Sequence, residues 1–359
     1  MRFIVFSDLH VHGFRYGATY DTSGINSRLL DGVQVLEQVL ERADEIGAAA
    51  VLFGGDLFQE MGRVHTAAWN RVADTMSRGH GQPPVHAIAG NHDLIAKRTG
   101  ESALHALRHV NGVNVYETPT VYCWGEVAVT FIPFLQDPED LADAVQAAWA
   151  GSGIDLNDLD TETHHILLSH NGITEQANAL GFTTDDAFSL QDIHDAAPVP
   201  DGWSLVLNGH YHKRRTLKLP NGNAAVIIGS TMQHNFGDAG QKHGWLEVEI
   251  NSANEIIITH RQSDAPKFHI LKDGDVTSQV RACDFVRFVG TPSEDLVASG
   301  ADIASVSPVE ASLKDRGNLS LADGDRRLLK GYVALQDGIG KKHAKRLAKM
   351  GRDLLCASE

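Results

Sequence analysis

Gly90-Asn91-His92-Asp93 brings together three side chains with different chemical uses. Asn offers a carbonyl oxygen to a metal ion, His moves a proton near neutral pH, and Asp can fix which imidazole nitrogen carries that proton. Taken alone, the same four residues also make an ordinary turn. Their meaning depends on equivalent clusters elsewhere, and there are four: Asp8-Leu9-His10, Gly55-Asp56, His170-Asn171 and Gly209-His210-Tyr211-His212. Each follows a short apolar run. Chance would scatter such side chains over exposed faces, so the joint pattern favours a site.

The apolar runs are Phe3–Phe6, Ala48–Phe53, Val85–Ala89, His164–Ser169 and Ser204–Leu207. Short continuous runs of this kind fit strands buried on both faces. In sheets of such strands, function gathers beyond the strand ends, where loops project side chains from a rigid platform. All five clusters can therefore converge. Asp8 and His10, two apart on an extended segment, point to one side; His12 shares that parity but lies further out and reads as a loop histidine.

Helices must connect these strands. Leu29, Val33, Leu36, Leu40 and Ala43 recur at helical spacing, with Asn26 or Ser27 as cap and Gly47 at the far end. His65–Ser77 reads as a second helix, and 104–109 continues a helix. Further strands are expected at Val113–Tyr116, Val127–Phe134 and Val226–Ile228. A hairpin of 245–250 and 255–259 turns at Ser252-Ala253-Asn254. Residues 135–163 are acidic and partly helical and carry no assigned chemistry.

Asp8, His10, Asp56, Asn91, His170, His210 and His212 supply two carboxylates, one amide oxygen and four imidazoles, more than one ion needs. Oxygen and imidazole without thiolate suit manganese, iron or zinc. The three cysteines, Cys123, Cys283 and Cys356, are odd in number and far apart, which argues against a disulfide framework and a zinc ribbon. Two ions about 3.5–4 Å apart, bridged by one carboxylate, suit in-line attack on phosphorus. The leaving oxygen still needs a proton. His92, with Asp93 as its orienting partner, is the candidate general acid, so His92 and Asp93 form the candidate catalytic pair.

These clusters, in this order and spacing over most of residues 1–260, resemble the calcineurin-like metallophosphoesterase superfamily. The resemblance implies an α/β fold, a four-layer α/β/β/α sandwich with a dimetal site at the strand ends. By position, it implies Asp8, His10, Asp56 and His212 around one ion, and Asp56, Asn91, His170 and His210 around the other, with Asp56 bridging. Gly55-Asp56-Leu57-Phe58, Gly229-Ser230-Thr231, Asn235-Phe236 and Lys242-His243-Gly244 are similar to the branch of DNA double-strand-break repair nucleases that includes SbcD and phage recombination endonuclease subunits. That branch implies a manganese-dependent DNA nuclease, a small capping domain, docking on an SbcC-type coiled-coil ATPase, and a homodimer. A histidine often follows the Gly-Asp-Leu-Phe stretch there; this chain has Gln59.

The domains expected are 1–263, metallophosphoesterase; 264–310, a small α/β cap; 311–339, a polar linker; and 340–359, a helical segment for partner docking. Six Lys or Arg between Lys341 and Arg352, with a Leu347, Met350 and Leu354 stripe, mark the last. The net charge of −15 disfavours general adhesion to nucleic acid, but not a local basic groove. Lys213, Arg214 and Arg215, beside the proposed site, are candidate DNA contacts, against the plainer reading of a solvated strand end. No apolar run reaches membrane-spanning length and no signal-peptide region precedes Asp8, so a cytoplasmic protein is expected. Two other functions fit: a phosphodiesterase or phosphatase for small molecules, and a metal-binding interaction scaffold without turnover.

Overall fold

The computed structural model describes residues 1–96, 101–137, 140–156, 162–181 and 187–306. The opening apolar run forms β1 (Arg2–Phe6), whose side chains beyond Arg2 are all buried, as a strand covered on both faces requires. After α1 (Ser27–Glu45), β2 (Ala50–Phe53), α2 (Thr66–Met76), β3 (Val85–Ile88) and β4 (Val113–Tyr116) complete a parallel run beside β1. A second sheet is built from β5 (Thr120–Trp124), β6 (Val127–Ile132), β7 (His164–Ser169), β10 (Leu205–Asn208), β11 (Arg215–Lys218) and β12 (Ala224–Ile227). Its order is β11-β12-β10-β7-β6-β5, parallel except at the two edges. The chain then returns to the first sheet with β13 (Gly244–Ile250) and β14 (Ile256–Gln262), giving β14-β13-β1-β2-β3-β4. The intervening α3 (Leu141–Ser152), β8 (Gly172–Ile173), α4 (Thr174–Leu180), β9 (Ala187–Phe188) and α5 (Leu190–Asp195) follow the second sheet.

Alternation of side chains along each strand sets the layers. Phe3 and Val5 of β1, Ala50 and Leu52 of β2, Val129 and Phe131 of β6 and Ile166 and Leu168 of β7 share one core, between the sheets. The alternate residues Ile4, Phe6, Val51 and Phe53 face α1 and α2. On the other side, Ala128, Leu167 and Val206 pack against α3, α4 and α5. This is the four-layer α/β/β/α arrangement expected. In α1, Asn26 is the cap, its side chain accepting from the N–H groups of Arg28 and Leu29, which satisfies two donors the helix cannot. The chain leaves α1 through Gly47 at φ 58°, a left-handed turn that suits glycine.

The expected helix at 104–109 is a 3-10 turn, His105–His109. β5, β8, β9, β11, α4 and α5 carry no clear periodic signal in the sequence. Residues 264–306 add a parallel three-stranded sheet of β15 (Phe268–Lys272), β16 (Phe285–Val289) and β17 (Asp302–Val306), with α6 (Glu294–Ala298) packed over it. Val280, Val286, Phe288 and Leu296 form its own small core. Its other face meets the larger body at an aromatic joint. Phe268 and Phe285 pack with Tyr16 and Phe236, and the Arg28 guanidinium lies over both phenyl rings at 5.1 and 4.5 Å. The last four cap residues, 307–310, the linker 311–339 and the segment 340–359 lie outside the described residues. No helix among the described residues is long and apolar enough to cross a membrane.

Candidate metal centre

Strands β1, β2 and β3 of the first sheet and β7 and β10 of the second end at one rim, and the polar residues that follow them meet there. His10 Nε2 lies 3.1 Å from His212 Nε2, 3.7 Å from Asp56 Oδ2 and 4.0 Å from Asp8 Oδ1. On the other side of Asp56, His170 Nε2 is 3.2 Å from Asp56 Oδ2, and His210 Nδ1 is 3.0 Å from Asn91 Oδ1. Asp8, His10 and His212 offer ligand atoms around one point, and Asp8, Asp56 and His170 around another. The seven residues proposed as ligands from the sequence are thus brought together, four from the first sheet and three from the second.

The backbone bends sharply to achieve this. Of the five non-glycine residues with positive φ among those described, Asp8, His10, Asp56 and His210 are four. Such left-handed conformations cost free energy and gather at functional sites. Asp8 and His10 therefore address one point by two left-handed turns, not by lying two apart on an extended strand as the sequence reading assumed. Pairing across the turn holds them: the N–H groups of Asp8 and His10 donate to Gly55 O and Asp56 O. Gly90 is required for a related reason, since a Cβ there would collide with the Asp56 carboxylate and amide nitrogen.

The donor set fits divalent cations. Asp8 and His170 are buried and Asp56 nearly so, and Asp8 Oδ1 and His10 Nδ1 have no hydrogen-bond partner among the described residues. A buried carboxylate oxygen without a partner is costly unless a cation completes it. The protonation balance says the same. Burial raises the Asp8 pKa and lowers that of His10 to about 3. For Asp56, burial works upward, but His170, His10 and His92 outweigh it and hold the carboxyl below its ordinary range. Burial would lower His170, yet Asp56 and Asp8 push it up to about 9. Without metal, these anions draw a proton onto the nearest imidazole. The His170 Nδ1–H group donates to Gly54 O, which orients Nε2 toward Asp56, the arrangement of an outer contact fixing a metal-binding tautomer.

His92 sits beside the ligands, its ring edge-on to that of His10 at 4.9 Å. The Nδ1–H group donates to the backbone oxygen of Gln59 at 2.7 Å, so a carbonyl orients this imidazole. The sequence reading gave that task to Asp93, and the geometry corrects it. Asp93 is fully buried, and its two oxygens accept the N–H groups of Asp56, Leu57, Phe58 and Gly90 at 2.8–3.1 Å. With both oxygens occupied by backbone, Asp93 shapes the loops that carry Asp56 and Asn91 instead. Burial, with the Asp56 charge second, raises its pKa, and the backbone donors act against that rise.

Lys213, Arg214 and Arg215 are exposed and follow the ligand His212. They diverge: Arg215 donates to Gln176 Oε1 at 3.2 Å, whereas the charge of Arg214 acts on half-buried His260, whose pKa is lowered to about 4 by burial first and then by Arg214, His243 and Lys242. His12 is half-buried at the edge of the centre, 3.8 Å from Glu60. Two contributors escaped the sequence reading. Gln59 acts through its backbone, which no residue pattern reveals. His234, buried with its ring 5.2 Å from His10 and 5.1 Å from His212, lies well into the loop after β12 and not at the strand end.

A dimetal-type rim between two sheets defines a phosphoesterase class, and the comparisons place the chain within it. The model of the calcineurin-like phosphoesterase family matches residues 1–214, and the chain belongs to that family. A protein of Invertebrate iridescent virus 3, named only as a candidate phosphoesterase, 078R, is 20% identical over 210 residues; the match covers 57% of this chain and 54% of the viral protein. The chain thus spans about half the length of that relative. Among solved structures, a dimetal phosphatase from Danio rerio has 9% identity and a TM-score of 0.43, covering 73% of this chain and 96% of that one. A purple acid phosphatase from yellow lupin has 13% identity and a TM-score of 0.47, covering 75% and 52%.

Proposed function

We propose that this phosphoesterase is a metal-dependent DNA nuclease, the nuclease subunit of an SbcCD-like repair or recombination complex. The observation that carries this reading is the wall beside the centre. From His234, whose ring lies against that of His212, the chain runs into Phe236, which packs against Phe268 of the small module, while the guanidinium of Arg287 lies 4.2 Å over the Phe236 ring. On a chain of net charge −15, exposed Lys213 follows the ligand position His212 directly, and Arg287 with Phe236 adds a second cationic and aromatic feature two residues beyond His234. Polyanionic strands suit such features. The segment 340–359 would dock the SbcC-type ATPase, and two copies would form a dimer.

Asp8, His10, Asp56 and His212 would hold one ion, and Asp56, Asn91, His170 and His210 the other. Manganese is the proposed metal. What the ions supply when bound is Lewis acidity toward the phosphate oxygens and the attacking water. His92 then gives the proton from Nε2 to the leaving oxygen; the Gln59 carbonyl holds Nδ1–H throughout, so the ring keeps one orientation as it changes charge.

The test compares end-labelled double-stranded and single-stranded DNA with bis-p-nitrophenyl phosphate, with manganese and with or without an SbcC-type ATPase and ATP. Cleavage of DNA, stimulated by the ATPase, is expected. Activity confined to the small ester would replace the nuclease by a small-molecule phosphodiesterase, the second reading. That reading draws on the generic activity in the name of the viral protein.

A further inference from the structure

Residues 229–236 form a loop that none of the metal ligands belongs to, yet it grips the backbone on both sides of the centre. Ser230 N–H donates to His212 O at 3.0 Å, and the Thr231 hydroxyl donates to Ser7 O at 2.7 Å. His234 Nε2 is 3.1 Å from Asp8 O. A carbonyl can only accept, so His234 carries its proton on Nε2, and Nδ1 is a buried acceptor without a partner among the described residues. The ring fills the space behind the ligands, against His10, His212 and Phe14. It is held from its own side by the Asp238 carboxylate, which accepts His234 N–H at 2.9 Å.

The carbonyl that His234 holds belongs to a residue with φ 52°, one of the four strained turns that aim the ligands. Strained backbone persists only where its surroundings hold it there. Releasing the Asp8 carbonyl would let the turn relax toward extended backbone and swing both Asp8 and His10 off their common point. We propose that His234 is a positioning residue of the metal centre, which fixes the Asp8 turn through its Nε2–H group and thereby sets metal affinity. The neighbouring Gln233 extends the reach of this loop: its Oε1 accepts the N–H of Phe268 at 2.6 Å, and its Nε2 donates to Gln241 O. The first strand of the small module is thus two residues' hydrogen bonds away from the first metal ligand.

This inference rests on the metal-centre reading and not on the nature of the substrate. The test uses the full chain freed of metal and titrated with Mn2+, with binding followed by electron paramagnetic resonance, for wild type, His234→Leu and His234→Gln. Leu approximates the volume of the ring without the donor, and the Gln amide nitrogen can occupy the Nε2 position. His234→Leu is expected to weaken Mn2+ binding about 10- to 100-fold, the usual effect of losing a contact that orients ligands. His234→Gln should recover most of that loss. Thermal unfolding of the metal-free variants separates positioning from folding, since the Gln rescue should appear in affinity at similar melting temperatures. Unchanged affinity in His234→Leu, or equal loss in both variants, would overturn the inference. If Leu prevents folding, His234→Gln alone still decides it, because a folded Gln variant with wild-type affinity is required. Failure of the wild-type chain to bind Mn2+ would instead overturn the metal-centre reading itself.

Discussion

At the residue scale, His92 and Asp93 are neighbours with separate tasks, and two substitutions distinguish them. His92→Ala removes the proton donor but none of the ligands. We expect kcat to fall about 10²- to 10⁴-fold with metal affinity nearly unchanged, measured on whichever ester the enzyme hydrolyses; full activity in the variant would remove His92 from the reaction. Asp93→Asn keeps the shape but turns an amide against backbone N–H groups. It should destabilise the metal-free chain by about 2–4 kcal/mol in urea unfolding. A variant of normal stability that had lost only kcat would restore Asp93 as the partner of His92. The residue types of the centre were legible because each ligand follows an apolar strand. The left-handed turns at Asp8, His10, Asp56 and His210 were not, because φ is decided by pairing across strands that the local sequence does not contain.

At the element scale, the buried strands and helices α1 and α2 could be read from their periods, and the edges could not. β11, Arg-Thr-Leu-Lys, is an exposed edge strand, defined by its antiparallel pairing with β12 and not by any apolar pattern. α4 and α5, with 7 and 6 residues, are too short to express a helical period. The small module has a different vulnerability. Asp284 is fully buried and accepts from His269, from the guanidinium of Arg281 and from the backbone of Lys267 and Arg281. Burial works to raise its pKa, but His269 and then those backbone donors outweigh it and hold the carboxyl below its ordinary range. A depressed carboxylate contributes stability that is complete above its unfolded pKa, about 4, and is lost as the pH falls below that. Hydrogen exchange of β15 and β16 should therefore accelerate below about pH 4 ahead of β1 and β2. In Asp284→Asn the protection should already be reduced at pH 7 and should lose this pH dependence. Equal behaviour of module and sandwich would refute the assignment.

At the scale of the molecule, the candidate ligands come from both sheets, so ions bound there would join the two halves of the sandwich at one rim. Ligands that bind only the folded state raise its stability by mass action, about 2.7 kcal/mol for each ion at 100 times its Kd. Adding a chelator to the manganese-loaded protein should lower Tm by roughly 5 °C or more, as followed by scanning fluorimetry. An unchanged Tm would mean that the rim is held without metal.

The distribution of the ligands also bears on how the protein is made. They run from Asp8 to His212, and β1, which delivers the first of them, pairs on one side with β13 at residues 244–250. A nascent chain on the ribosome therefore carries Asp8, His10 and Asp56 for most of its synthesis with no means of closing the centre around them. The candidate centre can assemble only when the second sheet and then β13 have emerged, so translation products that stop before β13 cannot complete it.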